Sequence, residues 1–359
     1  MKISDFDYSL PEELIAQYPA PKRSASRLIV LNRKDLTISH RRFPDIIEYI
    51  YGGDSLVLND TKVMPVRLFG VHRPLREGSA LLRSASHLTV DRKEKDVEVL
   101  LLKRLEMNIY SCLIKPSKKV KVGDVIKFDG GNLEGQIIKN DDEGRIISFD
   151  CAEDIERAIN EIGSMPLPPY IKRKAVPSDI DRYQTVYAKR RGAIAAPTAG
   201  LHFTKEILKK VRDKGASLAY ITLHVGHGTF SPVRSEDITE HKMESEYFEI
   251  SRKAADLINF TRKRGGKVIC CGTTTVRALE SVSANGRVDH RRGETRKFIH
   301  PPYKFSAVDA LLTNFHLPRT TLLMLVCAFA GREFILRAYE EAIAHKYRFY
   351  SYGDAMLIL

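Results

Sequence analysis

The stretch KVICCGTTTVRALESV, residues 267–282, decides the fold class. Its first part is an unbroken apolar run that predicts a buried strand, and Gly272 separates it from TTTVRALESV, which predicts a helix. The alternation of strand and helix continues on both sides, from a helix predicted at 152–163 to a buried helix predicted at 320–331. Such alternation is typical of an α/β layer on a mostly parallel sheet.

A run of short strands interrupts this pattern between residues 97 and 150, with Gly, Asn and Asp at the turns. This spacing favours a small barrel or sandwich. Closer to the N-terminus the α/β pattern returns, and SLPEELIAQYP and FPDIIEYI both predict helices. The expected domains are a discontinuous α/β catalytic domain, 1–68 and 152–359, and an inserted β-barrel domain, 69–151, of which 71–95 is an atypical exposed basic segment.

Composition limits the class of protein. Of the 359 residues, 43% are hydrophobic, which is enough for an ordinary core, and the formal charge is +13. Such an excess favours a polyanionic partner such as RNA or DNA, with an indifferent basic surface as the alternative. The five cysteines have no zinc or C-x-x-C spacing, and no apolar run reaches the length of a membrane span. We therefore expect a cytoplasmic protein without a membrane partner.

Four loops that follow predicted strands are polar where the strand was apolar. Ligands of open α/β sheets bind beyond the carboxyl ends of the strands, so these loops are expected to form one site. Each also has a local interpretation, as an Asx or Ser/Thr turn, a tight hairpin, a helix cap or a core histidine. The loops are NDTKVMPVR (59–67), LHVGHGTFSPV (223–233), CGTTTVRALES (271–281) and TNFHLPRTT (313–321).

The chemistry of these loops indicates an enzyme. The first turn of the helix after Gly272 offers backbone N–H groups and threonine hydroxyls, which suit a carboxylate or phosphate. A separate loop, AAPTAGLHFT (195–204), places a histidine where water is scarce, and a neutral imidazole there can act as a base near pH 7. There is no phosphate-binding lysine loop, no H-E-x-x-H and no nucleophile elbow. Residue patterns alone thus predict an α/β enzyme with a His- and Thr-lined pocket.

Several segments, taken together and in order, resemble one family. They are DFDYSLPEELIAQYP, LVLNDTKVMPVRLFG, RYQTVYAKRRGAIAAPTAGLHFT, LHVGHGTFSPV, GTTTVRALES, LLTNFHLPRTTLLMLVCAFAG and YRFYSYGDAMLI. The chain resembles the S-adenosylmethionine:tRNA ribosyltransferase-isomerases of queuosine biosynthesis over nearly its whole length.

The resemblance implies a three-layer α/β/α domain with an inserted small antiparallel β-barrel. It implies transfer of the ribosyl part of S-adenosylmethionine to the 7-aminomethyl-7-deazaguanine at the tRNA wobble position, with isomerisation to an epoxycyclopentanediol and release of adenine and methionine. S-adenosylmethionine is then a substrate, tRNA carrying the aminomethyl base is the partner, and no cofactor or metal is needed. A cytoplasmic monomer is expected.

The resemblance also implies roles for individual residues. The proton relay is assigned to His202, His224 or His316, and the choice among them stays open. Tyr183, Tyr187 and Phe203 are candidates for stacking on adenine or on the wobble base, and Asp354 either seals the core or orients a histidine. The substrate-binding candidates are Asn59, Thr61, Arg67, Tyr187, Thr198, Phe203, Gly226, Gly228, Thr229, Thr273, Thr274, Thr275, Arg277, Asn314 and Asp354.

Three segments depart from the family pattern. Residues 71–95 replace a Gly- and Thr-rich crossover, Glu244 stands where a second histidine is usual, and Arg296 stands where an acidic residue is usual. Two other functions remain as alternatives, an S-adenosylmethionine-dependent RNA methyltransferase and a non-catalytic tRNA-binding protein. Release of free adenine separates the first from the resembled activity, and steep salt dependence of RNA binding without product would favour the second.

Overall fold

The computed structural model describes residues 1–74, 95–130, 133–141, 144–151, 154–230, 233 and 235–359. The chain divides into two compact units. The first consists of Met1–Val63 together with Leu167–Leu359, and the second of Met64–Pro166.

The strands and helices have the following bounds. The chain begins with β1 (Arg27–Asn32), β2 (Thr37–Arg42), β3 (Ser55–Asn59) and β4 (Thr61–Val63). The second unit contains β5 (Arg67–Arg73), β6 (Lys95–Glu106), β7 (Ile109–Lys115), β8 (Val125–Phe128), β9 (Glu134–Asn140), β10 (Arg145–Asp150) and α1 (Glu156–Ile162).

The first unit then resumes. Its remaining elements are α2 (Asp179–Arg182), β11 (Arg190–Ala193), α3 (Lys205–Asp213), β12 (Ser217–Leu223), β13 (Glu246–Ile250), α4 (Arg252–Lys263), β14 (Val268–Cys271), α5 (Thr273–Val282), β15 (Ser283–Ala284), β16 (Arg287–Val288), β17 (Arg291–Thr295), β18 (Ala310–Asn314), α6 (Thr321–Ala330), α7 (Arg332–Ala344) and β19 (Ala355–Ile358). Short 3-10 helices lie at Ile3–Phe6, Glu12–Leu14, Arg23–Ala25, Phe43–Tyr49, Ser117–Lys119, Thr198–His202, His227–Phe230 and Ile238–Glu240.

A nine-stranded mixed sheet forms the centre of the first unit, in the order β17-β13-β12-β3-β14-β18-β19-β1-β2. The four neighbours β12, β3, β14 and β18 are parallel to one another. Their residues are apolar on both faces: Leu56 and Leu58 pack on the side of α3, and Val57 packs on the side of α4 and α5. Helices therefore cover both faces, and the predicted three-layer α/β/α class is confirmed.

The second unit is a closed barrel in the order β10-β7-β6-β5-β8-β9, with every neighbouring pair antiparallel. The inserted antiparallel barrel expected from the sequence is present. Its bounds are wider than 69–151 because Arg67 and Ser164 exchange two backbone hydrogen bonds, of 3.2 and 2.8 Å. Of the predicted basic segment 71–95, the first residues belong to β5 and Lys95 begins β6, while 75–94 lie outside the described residues.

The helix predicted from SLPEELIAQYP is wrong, since only Glu12–Leu14 forms a 3-10 turn. The chain is extended after it because Ile15 pairs with Phe349 in an isolated parallel bridge, and the N–H of Ala16 donates to the carbonyl of Phe349 at 3.3 Å. A tertiary contact has thus replaced the local helical preference. FPDIIEYI does coil, but as the 3-10 helix Phe43–Tyr49.

Hydroxyl caps start two of the helices of the first unit, α3 and α6. Thr204 accepts a hydrogen bond from the N–H of Ile207 at the start of α3, and Thr320 accepts one from the N–H of Leu323 in α6. These caps satisfy N–H groups that the helix itself leaves unpaired. Helix α6 is strongly apolar but has only ten residues, and no helix in the described ranges is long and apolar enough to cross a membrane.

Candidate active site

A cavity opens at the carboxyl edge of the parallel strands. Strands β12 and β14 lie on opposite sides of β3, so the chain crosses from one side of β3 to the other between them, and open α/β sheets bind ligands at such switch points. The space between the cavity walls, including open solvent at the mouth, is about 600 Å³. Five predicted site residues line it together: Thr198, Thr273, Thr274, Asn314 and His316.

The start of α5 supplies the polar wall. Gly272 has φ of +90°, a conformation that only glycine adopts readily, and its N–H donates to the carbonyl of Leu312 at 2.7 Å. This turn places Gly272, Thr273 and Thr274 in the lining. The first N–H groups of a helix have no partner within the helix and carry partial positive charge. This wall therefore suits a carboxylate.

The side chain of Asn59, at the end of β3, joins three of the strand-exit loops. Its Oδ1 accepts from the N–H groups of Leu223 and Thr61, at 3.0 and 3.2 Å. Its Nδ2 donates to the carbonyl of Leu223 at 2.9 Å and to Oγ1 of Thr274 at 3.3 Å. The side chain is fully buried, and its amide hydrogen-bonding capacity is used within the protein. Asn59 therefore fixes the cavity wall rather than lining it.

His316, just after β18, belongs to the cavity lining itself. Its Nε2 lies 2.8 Å from Oγ1 of Thr313, its N–H donates to the Tyr339 hydroxyl, and its carbonyl accepts from Tyr8. Burial lowers the pKa of His316 to about 3. The imidazole is therefore neutral at pH 7 and able to accept a proton.

His202 lies beside a second, smaller cavity that shares Ser351 with the first. Its Nδ1 lies 2.7 Å from Oγ of Ser26, and its Nε2 lies 3.4 Å from Nδ2 of Asn314. The ring stacks on Phe43 with centroids 5.0 Å apart. Burial, opposed in part by the charge of Asp354, lowers the pKa of His202 to about 4. His202 thus reaches the larger cavity only through Asn314.

Asn314 carries an unsatisfied acceptor. Its Nδ2 donates to the carbonyl of Tyr350 at 2.9 Å, whereas its Oδ1 is buried and makes no hydrogen bond with the described part of the protein. A buried carbonyl oxygen without a partner is costly and rare in native structures. Because Asn314 lines the cavity, this oxygen is suited to a hydrogen-bond donor on a ligand.

His224 lies apart from the other two histidines. Its Nδ1 is 2.7 Å from Oγ1 of Thr61, and its ring stacks on Tyr247 with centroids 5.4 Å apart. The backbone passes close to the ring at Gly192, where a Cβ would lie 2.7 Å from Nε2. The neighbouring Val225 lines the cavity, while His224 and Thr61 do not.

Arg277, predicted to bind an anionic group of a ligand, is paired with a carboxylate of the protein itself. Arg277 is buried, lies outside the cavity lining, and donates to the carboxylate of Glu246. The same carboxylate accepts from the N–H of Gly226 at 3.1 Å. The N–H of Gly228 likewise donates to Glu244 at 2.9 Å. The glycine loop is therefore held by two glutamates of the β13 segment, and the departure at Glu244 has a structural role.

Two of the proposed stacking residues are core residues. Phe203 and Tyr183 have no exposed surface. Phe203 packs edge-to-face on Phe43 at 5.0 Å, and Tyr183 packs in the same way on Tyr352 at 5.8 Å. Since neither ring presents a face to the cavity, stacking of a base on them does not fit this structure.

Tyr187 and Arg67 also lie outside the lining. The Tyr187 hydroxyl packs against Gly200 so closely that a Cβ there would be 2.1 Å from it, and its ring contacts Tyr220 at 5.9 Å. Arg67 belongs to β5 of the barrel unit, where its Nε lies 3.3 Å from the Glu98 carboxylate.

Two further predicted residues, Thr275 and Asp354, form hydrogen bonds with the protein backbone. Oγ1 of Thr275 donates to the carbonyls of Cys271 and Gly272, at 3.0 and 2.6 Å. The Asp354 carboxylate accepts from the N–H groups of Arg27 and Arg348, both at 2.8 Å. Thr229 lies in the 3-10 helix His227–Phe230, and its side chain is outside the described part.

Sequence patterns missed several residues of the lining. They are Tyr170, Pro197, Val225, Thr313, Thr320, Tyr350 and Ser351. Tyr170 comes from the irregular segment before α2, and its hydroxyl lies 2.6 Å from Oγ of Ser351. Ser351 lies within the recognised motif YRFYSYGDAMLI, but its aromatic neighbours favoured a core interpretation. No periodic pattern in the sequence marks Tyr170 as a site residue.

Potential metal ligands occur in one described group outside the cavity. Ligand atoms of His40, Glu341 and His345 lie within 4.8 Å of one another. Both ring nitrogens of His40 are engaged, with the Tyr347 hydroxyl at 2.8 Å and with Glu341 at 2.9 Å. None of these residues lines the cavity.

A comparison with known families matches residues 3–358 to the family described as "Queuosine biosynthesis protein". The chain belongs to this family. A relative from Sulfurihydrogenibium sp. is 49% identical and one from Halothermothrix orenii is 50% identical, each over the full length of both chains. Both are named S-adenosylmethionine:tRNA ribosyltransferase-isomerase.

A solved structure gives the same relationship. The crystal structure of S-adenosylmethionine tRNA ribosyltransferase from Thermotoga maritima is 40% identical, with a TM-score of 0.55, and the match covers 99% of this chain and all of that one. The family resemblance stated from the sequence motifs is confirmed. The assignment of individual site residues stays a prediction.

Replacing Asn59 tests the wall. In Asn59→Ala, the N–H and carbonyl of Leu223 and the hydroxyl of Thr274 lose a buried partner, and unsatisfied buried groups cost roughly 1–3 kcal/mol each. We expect the free energy of unfolding to fall by at least about 3 kcal/mol, measured by urea denaturation. The control is Asn32→Ala, at the last residue of β1, which removes a partly exposed side chain that bonds Lys34 and Asp35 of the following turn and should change the free energy of unfolding by less than about 1 kcal/mol. Equal effects of the two substitutions would contradict the role of Asn59.

Acidification tests the two buried imidazoles. Their folded pKa values, about 4 for His202 and about 3 for His316, lie below the unfolded value, so the unfolded chain binds more protons at intermediate pH. Stability is therefore complete above about pH 6.5 and is lost as pH falls, by about 1.4 kcal/mol per pH unit for each histidine. Urea denaturation between pH 7 and 4 should show that the free energy of unfolding falls less steeply with decreasing pH in His202→Gln and in His316→Gln than in the wild type. An unchanged pH dependence of the free energy of unfolding in both variants would contradict the burial of these two histidines as neutral rings.

Proposed function

We propose that the chain is an S-adenosylmethionine:tRNA ribosyltransferase-isomerase. It transfers the ribosyl part of S-adenosylmethionine to the aminomethyl group of 7-aminomethyl-7-deazaguanine at the tRNA wobble position. The product is epoxyqueuosine-tRNA, and adenine and methionine are released. S-adenosylmethionine is consumed as a substrate, without a resident cofactor or metal, in the cytoplasm.

The unsatisfied Oδ1 of Asn314 in the cavity wall is the observation that best supports this proposal. The substrates bring donors to that wall, namely ribose hydroxyls and the aminomethyl nitrogen. The start of α5 lies in the same lining and suits the methionine carboxylate. A cationic sulfonium is compatible with a wall of neutral groups: threonine hydroxyls, an asparagine and an uncharged histidine. These groups together match each part of S-adenosylmethionine by charge.

Proton transfer is assigned first to His316. The sulfonium acidifies the adjacent C5′–H, and His316 is neutral at pH 7 and lines the cavity. It can take that proton and, as the imidazolium so formed, return it to adenine as the glycosidic bond breaks. His202 is the second candidate and acts through Asn314. His224, outside the lining, is the least favoured of the three.

The apolar part of the wall also has a role. Ala196, Pro197, Ala199 and Phe315 line the cavity, so a ring-opened intermediate is kept from water. A binding protein without catalysis has no need for two neutral buried imidazoles at this edge. The segment 195–204, with its small residues before a histidine, is thus explained as a dry wall beside the proton-transfer groups.

Product analysis tests the function. The protein is incubated with S-adenosylmethionine and tRNA that carries the aminomethyl base, and the nucleosides and small molecules are analysed by mass spectrometry. We expect epoxyqueuosine in the tRNA with equimolar adenine and methionine. S-adenosylhomocysteine with a methylated nucleoside would instead indicate a methyltransferase, and RNA binding without either product would indicate a non-catalytic protein.

Substitution of the histidines tests their roles. In His316→Gln, loss of the proton acceptor should lower kcat for adenine release by roughly 10²–10⁴-fold, with less effect on the KM for S-adenosylmethionine. His202→Gln should give a smaller loss in the same direction. His345→Gln, an exposed histidine at the end of α7 and outside the lining, is the control and should leave kcat unchanged. Unchanged kcat in both active-site variants would remove them from the mechanism.

A further inference from the structure

The smaller cavity beside His202 is lined by two arginines. Arg23 comes from the 3-10 helix Arg23–Ala25, and Arg182 is the last residue of α2. The space between the walls is about 290 Å³. Ser351 borders both this cavity and the larger one, so the two are neighbours at the same edge of the sheet.

The charge of Arg23 is not neutralised. Its Nη1 donates to the carbonyl of Leu201 at 3.2 Å, and its Nη2 donates to the backbone carbonyl of Asp181. Burial, together with the positive charge of Arg182 and opposed in part by the charge of Asp181, lowers the pKa of Arg23. Backbone carbonyls offer dipoles but no compensating negative charge.

Arg182 is held in the same way. Its Nη1 and Nη2 donate to the carbonyls of Pro21 and Ala20, at 3.1 and 2.6 Å. Its Nε is buried and makes no hydrogen bond with any residue that the structure describes. Neither arginine forms an ion pair with a carboxylate among the described residues, although the charge of Asp181 acts on Arg23. Two cationic side chains therefore converge on one cavity, and the hydrogen bonds that hold them go to backbone carbonyls rather than to a carboxylate.

A nearby arginine shows the difference. Arg173 forms a bidentate pair with Asp179, with distances of 2.7 and 2.9 Å, on the segment that leads into α2. Partly buried charges are normally paired in this way because desolvation without a partner is costly. The pair Arg23 and Arg182 has the geometry of a site whose anion comes from a ligand.

We propose that the Arg23–Arg182 cavity binds a phosphate group of the RNA substrate, next to the nucleotide that enters the larger cavity. This inference rests on the proposed function. Guanidinium groups bind phosphate oxygens through paired N–H donors, and a base and its own phosphates are separated by one ribose, so adjacent cavities suit them. The methionine carboxylate already has a matching wall at the start of α5.

RNA binding as a function of salt tests the proposal. The probe is a fluorescently labelled anticodon stem-loop that carries the aminomethyl base, titrated with Arg23→Gln, Arg182→Gln and Arg182→Lys proteins. Both Gln variants should bind roughly tenfold more weakly at low salt. The slope of log K against log[KCl] should decrease by about 0.7–0.9, as for the loss of one phosphate contact. Arg182→Lys should keep the wild-type slope.

The control is Arg252→Gln, which removes the same charge from an exposed position at the start of α4. Helix α4 packs on the face of the sheet opposite to Phe43, the neighbour of His202. This variant should retain the wild-type slope and affinity. The KM for S-adenosylmethionine should be unchanged in all four variants.

Each other outcome overturns the proposal. A wild-type slope in both Gln variants would exclude a phosphate contact. A raised KM for S-adenosylmethionine with an unchanged slope would assign the site to the methionine carboxylate. A wild-type protein that neither binds the RNA nor releases adenine would overturn the proposed function, and this inference with it.

A second measurement applies if the Gln variants do not fold. Inorganic phosphate should raise the Tm of the wild type more than chloride does at equal ionic strength, because phosphate binds only the folded cavity. Arg182→Lys, which loses the planar donor pair, should show a smaller phosphate-specific rise. Equal Tm values in phosphate and chloride for the wild type would overturn the proposal.

Discussion

The buried carboxamide of Asn59 is the interaction on which the active-site edge depends. The four parallel strands bring their carboxyl ends to one edge, but parallel pairing alone does not fix the loops beyond them. Asn59 does so, because its oxygen and nitrogen bind the backbone of Leu223 and the side chain of Thr274 together. These contacts join the exits of β3, β12 and β14. The start of α5 is thereby held in the cavity wall, where its N–H groups are available to a ligand.

A second constraint is the charge of the wall. A sulfonium substrate is cationic, so a protonated histidine beside it would repel it. A carboxylate would attract it, but would make removal of a proton from the carbon next to the sulfonium harder. Burial keeps His202 and His316 neutral, which is compatible with the proposed cationic substrate and with the proposed role of a histidine as proton acceptor. The same burial is a stability cost on acidification. The neutrality of both rings at pH 7 and the loss of stability on acidification thus have a single physical cause.

The sequence predicts the fold well because its signals are local. An apolar run such as 268–271 acts within a few residues, and it forms β14 as expected. The helix predicted from SLPEELIAQYP was wrong because Ile15 pairs with Phe349, a residue far away in the chain that no local pattern includes. In the site, strand-exit residues such as Thr274 and Asn314 were found by position. Whether a polar residue serves a ligand or the protein, as at Asn59, depends on partners far away in the chain.

The two cavities differ in charge in a way that the substrates require. The larger has threonine, asparagine and a neutral histidine, whereas the smaller has two guanidinium groups that donate to backbone carbonyls. A cationic small molecule and a polyanionic RNA must react at one place, and a single basic pocket would attract the second while repelling the first. Separation of the charges across Ser351 and His202 avoids this conflict. Of the two buried histidines, His202 lies beside the arginines, whereas His316 belongs to the larger cavity, whose lining carries no formal charge.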